Sequence, residues 1–333
     1  MWISISTSSP LSLFIPNSHT SESLILPTAR CDYTPETSSI LPAANVKSIT
    51  STSNPFIKHC VKLRNSSSYR HSHGSVLLVG NTLLREMYNF QKSMQEKSST
   101  IDCLLLHEQA AVPEEIVDSG INIVRVNSVV MKKLSGVQST ESIDAISLVK
   151  IPSTFHNINE DYHEDFSKWF RSAYRILVLD GIQDPGNLGT LLRSAVAFGW
   201  DGAFLLPGCC DPFNEKALRA SRGASFQLPI VSGRWSDLQS LVDRLNLKIL
   251  AGHPGTNAGL KPVSCLSNEL ARSLIDTKVC LVLGSEGSGL SGIALKASEL
   301  VSIRMVGEFE SLNVSVAGGI FLFMLQSQTK KSY

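Results

Sequence analysis

Short apolar runs alternate with stretches of helical spacing through the second half of this 333-residue chain. The runs are RILVLD (175–180), GAFLLP (202–207), KILAGH (248–253), KVCLVLG (278–284) and LVSIRM (300–305). Between them we expect helices near 188–198, 214–221, 236–245 and 292–298, and after them an apolar helix over 312–325. Buried strands that alternate with helices are typical of α/β folds. The pattern therefore predicts an α/β domain over residues 173–328.

A second, smaller α/β pattern precedes it. The runs SVLLVG (75–80), DCLLLHE (102–108) and INIVRVN (121–127) indicate buried strands. We expect a helix around 83–97 and a short helix over Pro113–Ser119. Together these elements predict a separate small domain over residues 46–152. The intervening segment, 153–172, is polar and acidic, and is typical of a linker or surface loop.

The first forty residues differ in composition from the rest. They hold ten serines, three acidic residues and one arginine, a composition typical of an organellar transit peptide. We therefore expect residues 1–45 to be a transit peptide or disordered tail. Sparse arginine favours the chloroplast, with the mitochondrion as the alternative.

Several classes of protein are disfavoured by composition. No apolar stretch reaches the roughly 18 residues of a membrane span. None of the seven cysteines forms a CxxC pair, so neither a zinc site nor a disulfide framework is expected. Charge is unevenly distributed: residues 47–97 hold eight Lys/Arg against two acids, although the whole chain has a net charge of only +1. Such a basic segment suits RNA binding, but it also suits a solvated helix face.

One motif, DGIQDPGNLGTLLRSAVAFG, follows the first of the strands predicted in the larger domain. Pro185-Gly186 predicts a turn, Asn187 a helix N-cap and Gly199 the end of the helix. Arg193 would lie about two turns into that helix. Its long side chain could point back to the carboxyl end of the strand, where open α/β sheets bind ligands. Taken alone, the motif favours a simpler interpretation, in which Asn187 only caps the helix and Arg193 is a surface residue.

Two further motifs follow. LVLGSEGSGLS (281–291) joins an apolar strand to a glycine-rich turn with one carboxylate, Glu286. Its spacing is not that of the dinucleotide fingerprint, and no Lys follows as in a P-loop, which argues against a dehydrogenase and a P-loop protein. Ser311 and Asn313 then precede the apolar C-terminal segment. There they could cap the helix or hold a ligand at its N-terminus.

Together and in this order, the three motifs resemble those of the SpoU (TrmH) family of RNA ribose 2′-O-methyltransferases, within the SPOUT class. The resemblance covers about residues 172–326. It implies catalytic or positioning roles for Arg193, Asn187, Glu286, Ser311 and Asn313. In this family an arginine acts at the ribose 2′-hydroxyl, and that position corresponds to Arg193.

A weaker likeness extends upstream. Ser53-Asn54-Pro55, Lys58 and SVLLVG look like the start of the ribosomal-protein-like substrate-binding domain that many family members carry. The chain departs from the family pattern at two positions. Val79 stands where the family usually has Glu, and Arg304 replaces the proline of an Ile-Pro-Met motif.

The resemblance also implies an architecture and a cofactor. The larger domain would contain a parallel sheet with a C-terminal trefoil knot, and the chain would form a homodimer whose active sites use both subunits. S-adenosylmethionine would be bound in the knot, with no metal. The residues implied for the cofactor are Leu283, Gly284, Ile303, Met305, Leu312 and Asn313.

The expected substrate is RNA. A guanosine of organellar large-subunit rRNA is favoured, because a substrate-binding domain of this kind suits structured rRNA. The alternatives are a tRNA 2′-O-methyltransferase and a non-catalytic RNA-binding factor of ribosome assembly.

Overall fold

The computed structural model describes residues 48–93, 101–113, 121–137, 143–158, 170, 172–255 and 261–327, which build two sheets. The predicted transit peptide, 1–45, lies outside these residues, as does most of the short helix predicted over Pro113–Ser119. No helix in the described ranges is both long and apolar enough to cross a bilayer.

The first half of the chain forms a five-stranded mixed sheet. Its elements, in chain order, are β1 (Ser48–Ile49), α1 (Pro55–Asn65), α2 (Ser67–His73), β2 (Ser75–Val79), α3 (Asn81–Ser93), β3 (Ile101–His107), β4 (Asn122–Val126), α4 (Ser128–Ser135) and β5 (Ala145–Lys150). The strand order is β1-β4-β3-β5-β2, and β5 runs antiparallel to both of its neighbours. The three strands predicted here are confirmed to within a residue or two.

The second half forms an eight-stranded sheet in which every pairing is parallel. Its elements are β6 (Phe155–Asn157), β7 (Arg175–Asp180), α5 (Pro185–Ala197), β8 (Gly202–Leu205), α6 (Glu215–Ser221), α7 (Ala224–Gln227), β9 (Ile230–Ser232), α8 (Trp235–Leu245), β10 (Lys248–Gly252), β11 (Val263–Cys265), α9 (Asn268–Ser273), β12 (Val279–Gly284), α10 (Gly292–Ala297), β13 (Glu299–Ser302) and α11 (Val314–Met324). The strand order is β11-β13-β10-β12-β7-β8-β9-β6. The parallel sheet is confirmed, and the knot stays a prediction.

The sequence pattern missed three strands of this sheet. They are β6, β9 and β11, each of three residues. Strand β6 lies within the segment 153–172, so the expectation of a linker or surface loop was wrong for Phe155–Asn157, which pair with β9. A run of three residues is too short to show a strand period.

The sheet is covered on both faces. One core cluster packs α5 and α11 on the strands, through residues such as Leu188, Leu191 and Phe321. The other packs α8 and α10 on the opposite face, through residues such as Leu238 and Ala294. Because both faces are buried, the strand β7 is buried along its whole length, which explains its continuous apolar sequence.

A buried ion pair joins the two halves of the chain. The Arg70 guanidinium in α2 donates to the Asp211 carboxylate from Nε at 2.9 Å, and Ser67 Oγ donates to the same oxygen at 2.8 Å. Burial alone would raise the pKa of Asp211. A hydrogen bond from His71 and the Arg70 charge outweigh burial and hold that pKa below its usual range. The carboxylate is therefore ionised, and it fixes α2 against the second half.

Candidate active site

The carboxyl ends of three adjacent strands meet at one edge of the larger sheet. Strands β10, β12 and β7 are neighbours, and Gly284 at the end of β12 pairs with Asp180 at the end of β7. A cavity of about 510 Å³ opens at this edge. Ligand sites in open parallel sheets occupy this position, and the volume is in the range of small-molecule sites.

The cavity gathers residues from the carboxyl ends of β10 and β12, from the segment after β13 and from the start of α11. All six residues implied for a cofactor line it: Leu283, Gly284, Ile303, Met305, Leu312 and Asn313. Glu286 and Ser311 line it as well. The structure therefore brings the second and third motifs into one site, although they are separated by about twenty residues in sequence.

The turn after β12 explains why its glycines are needed. Ser285 and Gly289 exchange two backbone hydrogen bonds of 3.0 Å, which folds the turn back on itself. A Cβ atom on Gly284 would collide with the backbone of Gly289 and Leu290, so only glycine fits there. The turn carries Glu286, which is exposed to solvent at the mouth of the cavity.

Helix α11 begins at this mouth. Asn313 caps it, because its Oδ1 accepts hydrogen bonds from Ser315 N at 2.9 Å and Val316 N at 3.3 Å. Of the two residues expected near the helix start, Asn313 is therefore the cap, whereas Ser311 is exposed and lines the cavity.

The expected N-cap of α5 was wrong. Asp184, not Asn187, caps the helix, and its Oδ1 accepts from Asn187 N at 2.8 Å. The helix therefore begins three residues earlier than predicted, with Pro185 in its first turn, where proline is tolerated. Relieved of capping, the Asn187 side chain is free to make other contacts.

Those contacts join the three motifs. The Asn187 amide donates through Nδ2 to Glu286 Oε1, and Asn313 Nδ2 donates to Asn187 Oδ1 at 3.2 Å. Three of the five residues implied for catalysis thus form one hydrogen-bonded chain, Glu286–Asn187–Asn313. Because each comes from a different structural element, the chain fixes their relative positions.

Arg193 is not part of this cavity. It is exposed and lies by a separate cavity of about 530 Å³, whose lining includes Phe90, Val196 and Gln227. Six residues along an α-helix turn the side-chain direction by about 120°, so Arg193 and Asn187 face different directions on α5. Within one chain, the structure does not bring Arg193 together with the other four residues.

Sequence reasoning missed several residues of the site. Gly252 ends β10, His253 and Pro254 follow it, and Phe321 lies about two turns into α11. All four line the cavity. Asp180, buried at the end of β7, accepts a hydrogen bond from Ser291 N at 2.7 Å and so fixes the far end of the glycine-rich turn. Knowing which strands are neighbours in the sheet would have identified these residues, but the sequence does not reveal the strand order.

The two departures from the family pattern fall in different surroundings. Val79 is buried in the core of the smaller sheet, which suits an apolar side chain there. Arg304 is exposed between Ile303 and Met305, both of which line the cavity. The change to Arg304 therefore leaves the lining residues in place.

Comparisons with known proteins identify relatives of this chain. The model of the SpoU rRNA Methylase family matches residues 174–323. A Bacillus subtilis 23S rRNA (guanosine(2553)-2′-O)-methyltransferase, RlmP, is 28% identical over 84% of this chain and 100% of its own length. A solved structure of an RNA 2′-O ribose methyltransferase is 26% identical, covering 84% of this chain and 97% of that one, with a TM-score of 0.62. The AdoMet-bound rRNA methyltransferase from Sinorhizobium meliloti, 23% identical with the same coverage, shares the fold with a TM-score of 0.64.

Unfolding measurements can separate the capping role of Asp184 from the side-chain contacts of Asn187. Asp184→Ala removes the cap of α5 and should lower the free energy of unfolding by about 1 kcal/mol. Asn187→Ala keeps the cap and improves helix propensity, so the loss should stay within about 0.5 kcal/mol. Urea unfolding of both variants measures the difference. An equal or larger loss for Asn187→Ala would contradict the assignment of the cap.

Proposed function

Because residues 174–323 are a methylase domain of the SpoU family of S-adenosylmethionine-dependent RNA methyltransferases, we propose that this chain methylates the ribose 2′-hydroxyl of an RNA nucleotide. The observation that carries the proposal is the chain Glu286–Asn187–Asn313 at the mouth of one cavity. Ribose methylation needs a site for the methyl donor beside a polar site for the nucleotide. The cavity supplies the donor site, and the hydrogen-bonded residues Glu286, Asn187 and Asn313 supply the polar site.

The cavity suits the proposed cofactor. Apolar side chains such as Leu283, Ile303 and Phe321 line it and provide a surface for an adenine ring. The backbone at Gly284 and Leu312 supplies hydrogen-bonding groups that do not depend on side chains. The negatively charged carboxylate of Glu286 lies at the mouth of the cavity, where it would attract a positively charged ligand.

In the proposed reaction, the cofactor supplies a methyl group on a positively charged sulfur. The methyl group would move to the 2′-oxygen, and the cofactor would leave as a neutral thioether. The 2′-hydroxyl proton would pass to the adjacent substrate phosphate and from there to water. A guanidinium cannot easily accept that proton, because arginine keeps its charge in proteins. Arg193 instead holds the adjacent phosphate and stabilises negative charge as it develops on the 2′-oxygen.

Arg193→Ala should therefore abolish methyl transfer to RNA, while binding of S-adenosylmethionine stays unchanged because Arg193 does not line the cavity. Transfer of a radiolabelled methyl group measures the first effect, and calorimetric titration the second. The matched control is Arg272→Ala, since Arg272 is exposed at the end of α9. Full activity of Arg193→Ala would contradict its role.

The position of Arg193 supports a homodimer in which one subunit's arginine serves the other's cavity. The outer face of α11 is apolar: Val316 is 52% exposed, Ile320 36% and Phe323 54%. Phe323 also contacts Phe198, at the C-terminal end of α5, with ring centroids 5.5 Å apart. One continuous apolar surface thus joins the last turn of α5, the helix that carries Arg193, to α11. A second copy of the chain would cover it.

Complementation tests this arrangement. Arg193→Ala leaves the cavity intact. Gly284→Val should displace the turn that lines the cavity, because a side chain on Gly284 would collide with the backbone of Gly289 and Leu290. Each variant alone should be inactive. Subunits exchanged between the two should recover methyl transfer, because a mixed dimer has one complete site. If exchange is shown by mass spectrometry and no activity returns, then Arg193 does not act across the interface.

We propose a guanosine of large-subunit rRNA in an organelle as the substrate. The Bacillus subtilis relative that spans most of the chain acts on a 23S rRNA guanosine, and the serine-rich first forty residues support a transit peptide. The chloroplast is favoured over the mitochondrion.

Mapping of ribose methylation tests the substrate. Cells that lack the protein should lose one 2′-O-methyl guanosine from organellar large-subunit rRNA, and wild-type protein, but not Arg193→Ala, should restore it. An unchanged organellar rRNA together with a lost tRNA methyl group would redirect the proposal to tRNA.

A further inference from the structure

One side of the smaller sheet is covered by helices that contain no acidic residue. Helices α1, α2 and α4 together carry six lysines and arginines, namely Lys58, Lys62, Arg64, Arg70, Lys132 and Lys133. Helices α1 and α4 pack on the same core cluster. The opposite face of the sheet packs against α3 and against Phe213, Leu218 and Phe226 of the second half. Helices α1 and α4 therefore lie on the side of the smaller sheet away from the second half, whereas α2 also contacts that half through Arg70.

Two of these six cations make structural contacts within the protein. Arg64 donates to the carbonyl of Leu134 at 2.7 Å, at the end of α4, and Arg70 pairs with Asp211. The four lysines are exposed, and no ion pair joins them to an acidic side chain within the described ranges. Their charge is therefore available to a ligand.

An aromatic cluster lies beside Lys62, and Lys58 precedes Lys62 by one turn on the same face of α1. The ring centroids of Tyr69 and His73 are 4.0 Å apart, and those of His59 and Tyr69 are 5.5 Å apart. Lys62 Nζ lies 5.6 Å from the centroid of Tyr69. A hydrogen bond of 2.9 Å between His59 Nδ1 and Tyr69 Oη fixes the two rings. We call His59, Tyr69, His73 and Lys62 the stacking cluster.

The surroundings of His59 favour the uncharged form of its ring. Burial, and then the neighbouring His73 and Lys62, lower the pKa of His59 below its ordinary value of 6.5. His73 is exposed and Tyr69 half-buried, so these two rings can be reached from solvent.

We propose that the stacking cluster binds an unpaired nucleotide segment of the RNA substrate, with Lys58 and Lys62 on its phosphates. The combination of exposed rings and unpaired lysines fits this ligand, because nucleobases stack on aromatic rings while cations track the backbone. An acidic protein would use the lysines but would not need the rings. The inference rests on the proposed function, and it places part of the RNA on a face remote in sequence from the catalytic motifs.

The chain contains a matched control for the pair Tyr69 and Lys62. On the catalytic domain, Lys278 Nζ lies 5.6 Å from the ring centroid of Tyr174, the same distance as in the stacking cluster. Tyr174 is 42% exposed, but among the described residues no histidine ring contacts it. The two pairs therefore differ mainly in their surroundings.

The experiment compares Tyr69→Leu/Lys62→Glu with Tyr174→Leu/Lys278→Glu, which change the same residue types and the same net charge. The probes are unmodified large-subunit rRNA transcribed in vitro, single-stranded oligoadenylate, and duplex RNA of equal length. The first variant should bind rRNA and oligoadenylate roughly five- to 150-fold more weakly and raise KM for RNA. The control variant should bind as wild type does. S-adenosylmethionine affinity should be the same in all three proteins.

Two single variants separate stacking from charge. Tyr69→Phe retains the ring and should retain affinity for oligoadenylate. Lys62→Ala should reduce the dependence of log affinity on log salt concentration by about one unit. Circular dichroism and urea unfolding establish that each variant is folded.

The outcomes are distinct. Wild-type affinity in Tyr69→Leu/Lys62→Glu, or an equal loss in the control variant, overturns the inference. An equal loss for duplex and single-stranded probes overturns the stacking role. If the wild-type protein binds RNA through this cluster but transfers no methyl group to any RNA, then the proposed function fails and the binding surface stands.

Discussion

The position of the C-terminal helix depends on one buried guanidinium. Arg175, at the start of β7, donates to the carbonyl of Leu325 at 2.7 Å, after α11, and to that of Leu274 at 2.8 Å, after α9. Burial lowers the pKa of Arg175, and Asp201 partly offsets this. Trp200 Nε1 donates to the Leu322 carbonyl at 3.0 Å. Because unsatisfied buried carbonyls are costly, these bonds anchor the end of α11. The other end, about 16 Å away along an 11-residue helix, carries Asn313 into the candidate site.

The same helix shows that some motif glycines serve packing rather than ligand binding. A Cβ atom on Gly318 would overlap Leu191 of α5 and approach Leu283 of β12 to 2.8 Å. Because Gly318 has no side chain, α11 can lie against both α5 and β12. Helix α5 carries Asn187, and β12 leads into the turn with Glu286. The close approach therefore permits the hydrogen bonds from Asn187 to Glu286 and Asn313. The geometry of the site therefore depends on how closely these elements pack.

Local chemistry explains which parts of this structure the sequence could predict. The run RILVLD predicts β7 over 175–180 because a strand buried on both faces is apolar throughout. The N-cap of α5 was misassigned because Asp184 and Asn187 have the same capping chemistry, and only the observed hydrogen bond distinguishes them. The six residues that the resemblance implies for a cofactor line one cavity, and their role there stays a prediction. The separation of Arg193 from the cavity was not predictable, since it depends on how α5 is oriented on the sheet.

Helix α2 connects the two proposed sites through its opposite faces. Arg70 and His71 face the catalytic half, where the Asp211 carboxylate binds both, while Tyr69 and His73 form part of the stacking cluster. A buried ion pair tolerates little displacement, because separating the charges leaves each without compensation. The RNA site proposed at Tyr69 is therefore held at a fixed distance from the candidate active site. The net charge of +1 conceals this arrangement, since the cations are concentrated on one face and their acidic counterparts lie elsewhere.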